Sequence, residues 1–78
     1  MPTVLRSGPF RFYFYSSDGD EPRHIHIQGA DGVAKYWLEP VRLGHSQGFK
    51  TSELSKIRSI IDQNTPQLIE AWDEFFGR

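Results

Sequence analysis

Phe10-Arg11-Phe12-Tyr13-Phe14-Tyr15 alternates without a break, which is the pattern of a half-buried strand. Phe10, Phe12 and Phe14 fall on one side of the pleat and Arg11, Tyr13 and Tyr15 on the other. Three phenyl rings in a row need cover, so their side predicts a core face. The tyrosine side, with apolar rings and polar tips, is expected to be half wet. Toward the N-terminus, Thr3-Val4-Leu5-Arg6 reads as a short first strand stopped by Ser7-Gly8-Pro9. Toward the C-terminus, residues 16–22 hold turn formers and predict a loop. Residues 23–28 alternate again, and Gly29-Ala30-Asp31-Gly32 predicts the turn of a hairpin. Residues 33–39 pair back. Pro40 then ends, bulges or edges the ladder, and Val41-Arg42-Leu43 predicts a last short strand.

After Gly44–Gly48 the hydrophobic period changes from two to about 3.6. Thr51 is the expected N-cap, with Glu53 in the first turn facing the positive end of the helix dipole. Leu54, Ile57, Ile60 and Ile61 share a helical face. Asn64-Thr65-Pro66 reads as a break, with Thr65 capping a second helix that has Pro66 at its first position. That helix buries Leu68, Ile69, Trp72, Phe75 and Phe76 and stops at Gly77. The expectation is an α+β domain spanning residues 1–78. A mainly antiparallel sheet of four or five short strands (about 3–43) is followed by two C-terminal helices, a hairpin over about 51–76, packed on one face.

Seventy-eight residues without cysteine exclude disulfides and thiolate metal sites. The 14% aromatic content points to aromatic packing or a partner chain as the source of stability. There is no apolar run of the roughly 18–20 residues that would cross a bilayer, and no signal-peptide pattern opens the chain. A soluble, cytoplasmic protein with no membrane partner is therefore expected. The net charge is −1, with eight Lys/Arg against six Asp/Glu in residues 1–60 and one against four in residues 61–78. That balance does not by itself argue for nucleic acid.

The chemistry is concentrated in Asp18-Gly19-Asp20-Glu21-Pro22-Arg23-His24-Ile25-His26. His24 and His26 project from one face, with α-carbons about 6.5–7 Å apart. They are candidate ligands for a divalent metal ion, with Asp18, Asp20, Glu21 or His45 as the source of a third. A donor set without sulfur suits a hard or borderline cation. The same histidines, with Lys35, are candidate catalytic groups for metal-free RNA cleavage as an acid/base pair. Arg11, Arg23, Lys35 or Arg42 would then hold the phosphate, and Tyr13, Tyr15 or Trp37 would stack a base. The plainer alternative is that the histidines bond to the loop carboxylates and pin the turn, while the aromatic residues pack. DNA is not expected as a partner. The helix that would read a groove carries Glu70, Asp73 and Glu74 and would be repelled by phosphates.

Several elements occur in order along the chain: Phe12-x-Phe14, Gly19-Asp20-Glu21-Pro22, His24-Ile25-His26, Ala34-Lys35-Tyr36-Trp37-Leu38, Pro40-Val41, Gly48-Phe49, Glu53-Leu54, Asn64 and Trp72-x-Glu74-x-Phe76. Together they resemble the small bacterial family catalogued as domain of unknown function 4160. The resemblance implies a short protein of unassigned activity, often encoded beside a second small protein in the manner of toxin–antitoxin pairs. Members typically carry a second proline where this chain has Arg23, and His45 lies outside the shared pattern. The resulting expectation is a small binding or interaction protein in a two-protein system, with a partner encoded nearby and self-association as a further option. Its surface is expected around Asp20, Glu21, Arg23, Tyr13, Tyr15 and Trp37 beside the two histidines. Whether the protein is an enzyme stays open. The alternative is an RNA-cleaving or metal-dependent activity of the His24/His26 face.

Overall fold

The computed structural model describes residues 3–77. Five strands, β1 (Thr3–Ser7), β2 (Phe10–Tyr13), β3 (His24–Gln28), β4 (Val33–Leu38) and β5 (Val41–Gln47), precede one helix, α1 (Thr51–Phe76). The sheet is an antiparallel meander in the order β1-β2-β3-β4-β5, so β1 and β5 are its edges. Residues 16–22 form the connection expected of them, with one 3-10 turn at Ser16–Asp20. The 29–32 turn closes as expected, the Gly29 amide donating to the Gly32 carbonyl at 3.0 Å.

The alternation read from the sequence sets the two faces. Phe10, Phe12, Phe14, Ile25, Ile27, Ala34, Tyr36 and Leu38 are buried against Ile57, Ile61, Leu68 and Trp72 of α1. The opposite face carries two rows of cross-strand neighbours. One row is Tyr13, His26, Lys35 and His45, and the other is His24, Trp37 and Arg42. Burial of the first set holds helix to sheet, at about 1.5–3 kcal/mol for each large apolar side chain removed from water.

The expected helical hairpin is instead a single helix. Ile57 to Leu68 and Ile61 to Trp72 are each 11 residues apart, which is about three turns of 3.6 residues. The two apolar stripes are therefore in phase along one continuous helix, although Phe75, expected in the buried stripe, is exposed. Thr65 does not cap forward. Its hydroxyl donates back to the Ile61 carbonyl at 2.7 Å, and Asn64 Nδ2 donates to the Ile60 carbonyl at 2.8 Å. These side chains support the carbonyls of the turn that the Pro66 ring crowds. Pro66 has no N–H for the carbonyl of Asp62, so Pro66→Ala is expected to stabilise the fold by about 1–3 kcal/mol in urea unfolding. No gain would mean that the Asn64 and Thr65 bonds already offset the proline in full.

Two smaller boundaries also shift. Lys50, not Thr51, is the N-cap, because its amide donates to Glu53 Oε1 at 2.9 Å. The last strand runs to Gln47 instead of stopping at Leu43. The register slips between Lys35 and Tyr36, whose partners are His45 and Leu43, so Gly44 is the extra residue of a bulge. The absence of a side chain at Gly44 matters there: a Cβ would lie 3.0 Å from Trp37 Nε1 and 3.2 Å from the Lys35 carbonyl. Among the described residues, no helix is long and apolar enough to cross a membrane.

Candidate functional site

The 3-10 turn delivers Asp18 to the start of β3. The Tyr15 amide donates to Asp18 Oδ2 at 2.9 Å, which fixes the carboxylate. The same oxygen is 3.0 Å from His26 Nε2 and 3.2 Å from His24 Nε2. Three nitrogens thus converge on one oxygen. The two imidazoles share a side of β3, with ring centres 5.1 Å apart, while Ile25 and Ile27 enter the core.

His24 is fully buried. Its ring lies 5.6 Å from that of Trp37 and 5.0 Å from that of Trp72, so the C-terminal turns of α1 reach the start of β3. Its Nδ1 is 2.8 Å from the Pro22 carbonyl, which can only accept, so Nδ1 carries a proton. In the neutral ring Nε2 is then a bare lone pair. It sits within ion-pairing distance of Asp18 yet is not aligned as a hydrogen bond. Among the described residues His24 Nε2 and Trp72 Nε1 are buried side-chain polar atoms without a hydrogen-bond partner. A lone pair and a carboxylate oxygen at 3.2 Å repel unless a positive particle, a proton or a metal ion, stands between them.

His26 is the accessible member, with 17% of its side chain exposed. Tyr13 stacks on it at 5.5 Å and Tyr15 meets it edge-on at 4.7 Å. Burial holds the His26 pKa below its ordinary value, against the opposing pull of the Asp18 carboxylate. The ring is therefore neutral at neutral pH and donates from Nε2 to Asp18. It opens on a shallow recess of about 160 Å³, lined in part by Tyr13, Tyr15, Lys35 and His45.

Around this cluster the charges are tied down. Lys35 Nζ binds Glu21 Oε1 at 2.6 Å and lies 4.5 Å above the Trp37 ring, while Arg42 approaches the same ring at 5.8 Å. The Lys35 hydrogen bond holds the Glu21 carboxyl below its ordinary range. Glu21 Oε1 is also 3.7 Å from His24 Nε2. Arg23 bridges Asp73 at 2.7 Å and Glu39 at 3.0 Å, joining β3 to the end of α1. The hydrogen bond to Asp73 raises its pKa further.

The sequence candidates separate into two groups. His24, His26, Tyr13, Tyr15, Glu21, Lys35 and Trp37 come together around Asp18. Asp20 is exposed and His45 lines the recess, but neither joins the cluster of Asp18, His24 and His26, whose ligand atoms lie within 4.8 Å of one another. Arg23 serves the helix–sheet junction. Tyr13 corrects the expectation of a half-wet tyrosine face: it is 4% exposed, under the Arg11 guanidinium at 4.5 Å, and its pKa is pushed up to about 12 by burial, with the Tyr15 hydroxyl adding to the shift. Tyr15, 41% exposed, is the wet one. Trp72 and Asp73 were invisible as site residues, because a helical stripe read from sequence does not say which strand end its last turn meets.

The model of a family described as "Domain of unknown function (DUF4160)" matches residues 10–73 of the 78-residue chain. No curated protein and no solved structure matches it. The matched span contains the whole Asp18, His24 and His26 cluster and its Trp72 cover.

Proposed function

The chain belongs to the DUF4160 family, and on that premise we propose that it is a binding protein of a two-protein bacterial system similar to toxin–antitoxin pairs. Its working surface is the sheet face that α1 does not cover. The observation that supports this reading is the composition of that face. Arg11, Tyr15, His26, Lys35, Trp37, Arg42 and His45 lie on or beside it, a mixture of aromatic and cationic groups of the kind that protein interfaces favour. β5 adds an exposed edge whose outer backbone groups can pair with a further strand. The partner is a small protein encoded nearby, with carboxylates set to meet Arg42 and His45.

Co-expression with the neighbouring gene's product followed by size-exclusion chromatography tests this. A stable complex is expected from the unaltered chain. An Arg42→Glu, His45→Glu double variant should bind at least about tenfold more weakly, since like charges across an interface cost several kcal/mol. Lys56→Glu, on the exposed side of α1, should bind normally. Equal binding by the double variant, or no complex at all, would remove this reading.

A second reading, an RNA-cleaving or metal-dependent activity, is favoured by one observation. His26, held by Asp18, opens on the recess beside Lys35 and His45. Loss of RNA cleavage in His26→Gln would bring it forward, and inert wild-type protein would end it.

A further inference from the structure

We infer that Asp18 Oδ2, His24 Nε2 and His26 Nε2 form a binding site for one divalent metal ion of borderline hardness, of the zinc type. The ion can sit there whether or not a partner occupies the sheet face. It deepens the metal-dependent reading only by naming the ion and its ligands.

Two independent observations carry the inference. The first is the orphaned nitrogen. His24 is wholly buried, its Nδ1 proton is committed to the Pro22 carbonyl at 2.8 Å, and its Nε2 points at a carboxylate 3.2 Å away without a hydrogen bond. An imidazole whose other nitrogen donates to a backbone carbonyl is oriented as metal-bound histidines are. The second is the spacing. Ligands about 2.0 Å from a tetrahedral zinc ion are about 3.3 Å from each other. The Asp18 separations from His24 and His26 are 3.2 and 3.0 Å, and all three ligand atoms lie within 4.8 Å of one another.

The chemistry of the donors agrees. Two imidazoles and one carboxylate suit zinc-like cations better than calcium or magnesium, which prefer oxygen. Binding the ion moves the His26 proton from Nε2 to Nδ1, so that both rings ligate through Nε2. Asp18 keeps its Tyr15 amide bond, which sets the carboxylate direction. Three protein ligands leave a fourth position. Glu21 Oε1, 3.7 Å from His24 Nε2 and shared with Lys35, borders it. A site of this type keeps a place for water or a substrate oxygen, whereas a structural zinc site closes with four ligands.

The test uses the full chain, stripped with a chelator and then titrated with Zn²⁺ or Co²⁺ at neutral pH. One equivalent of Zn²⁺ is expected to bind at micromolar concentration or below, to raise the melting temperature, and to be reversed by the chelator. Co²⁺ should give the visible absorption of a four- or five-coordinate ion. Asp18→Asn keeps an acceptor for the Tyr15 amide and His26→Gln lies at the accessible edge. Either should retain the far-ultraviolet dichroism of the fold and bind at least about a hundredfold more weakly, as loss of a ligand is worth more than the ten- to hundredfold of an outer-shell partner. Folded wild-type protein that takes up no metal overturns the inference, as does equal uptake by both variants. So does a nitrogen-15 spectrum that keeps a proton on His24 Nε2 in the presence of saturating metal.

Discussion

Trp72→Ala is expected to lose about 3–5 kcal/mol in urea unfolding, out of a total of about 4–12 for a chain of this length. Trp72 is completely buried and is the largest such side chain among the described residues. Its ring meets Phe76 at 4.3 Å, His24 at 5.0 Å and Phe14 at 5.3 Å, so one truncation opens a cavity touching helix, strand and site together. Among the described residues its indole N–H has no hydrogen-bond partner, so the loss comes from packing alone. Trp72→Phe should therefore cost clearly less, because it removes an unpaired donor while keeping an apolar ring. The alanine variant should also let solvent reach His24, visible as faster exchange of its ring N–H. A loss below about 1 kcal/mol would show that the end of α1 does not anchor the histidines.

Gly48→Ala is expected to be nearly as damaging, at about 2–5 kcal/mol, combining backbone strain with overpacking. Gly48 has φ +88, and a Cβ there would overlap the Asp31 carbonyl oxygen and sit 3.0 Å from Gly32 Cα. Both obstacles are backbone, so no rotamer change relieves them. The contact ties the end of β5 to the hairpin between β3 and β4, and its loss should fray the exposed edge. Gly8→Ala is the control. Its φ is +57 but no described residue lies within 4 Å of the added carbon, so it should cost only about 1–2 kcal/mol of conformational preference. Equal losses at the two positions would mean that crowding at Gly48 is relieved by a shift of the hairpin.

Period-two alternation made most of the sheet legible. The phenylalanine face, the 29–32 turn and the shared side of His24 and His26 follow from it directly. The helix count failed on a local signal. Asn64-Thr65-Pro66 has the residues of a helix start, and only the phase of the two apolar stripes, which sequence also carried, says that they belong to one rod. The end of β5 was hidden by a bulge, whose extra residue shifts the alternation at Gly44. At the site, residue types and side of the sheet were readable, but depth was not. Tyr13 and His24 alternate away from the Phe12 and Ile25 side and are nonetheless sealed, Tyr13 by Arg11, Tyr15 and His26, and His24 by Trp37 and by Trp72 where the end of α1 reaches the start of β3. The choice of Asp18 over Asp20 depends on which residue of a single 3-10 turn faces the strand, and composition does not carry that.

Because each strand pairs with its neighbour in sequence, all five can assemble on a ribosome while the last 26 residues of regular structure are still inside the exit tunnel. A nascent chain at that stage displays Phe12, Ile25, Ile27 and Leu38 to water with nothing to cover them. The interval before residues 51–76 emerge and dock therefore sets how long a sticky half-protein persists, and changes that delay docking should lower soluble yield without altering the finished molecule.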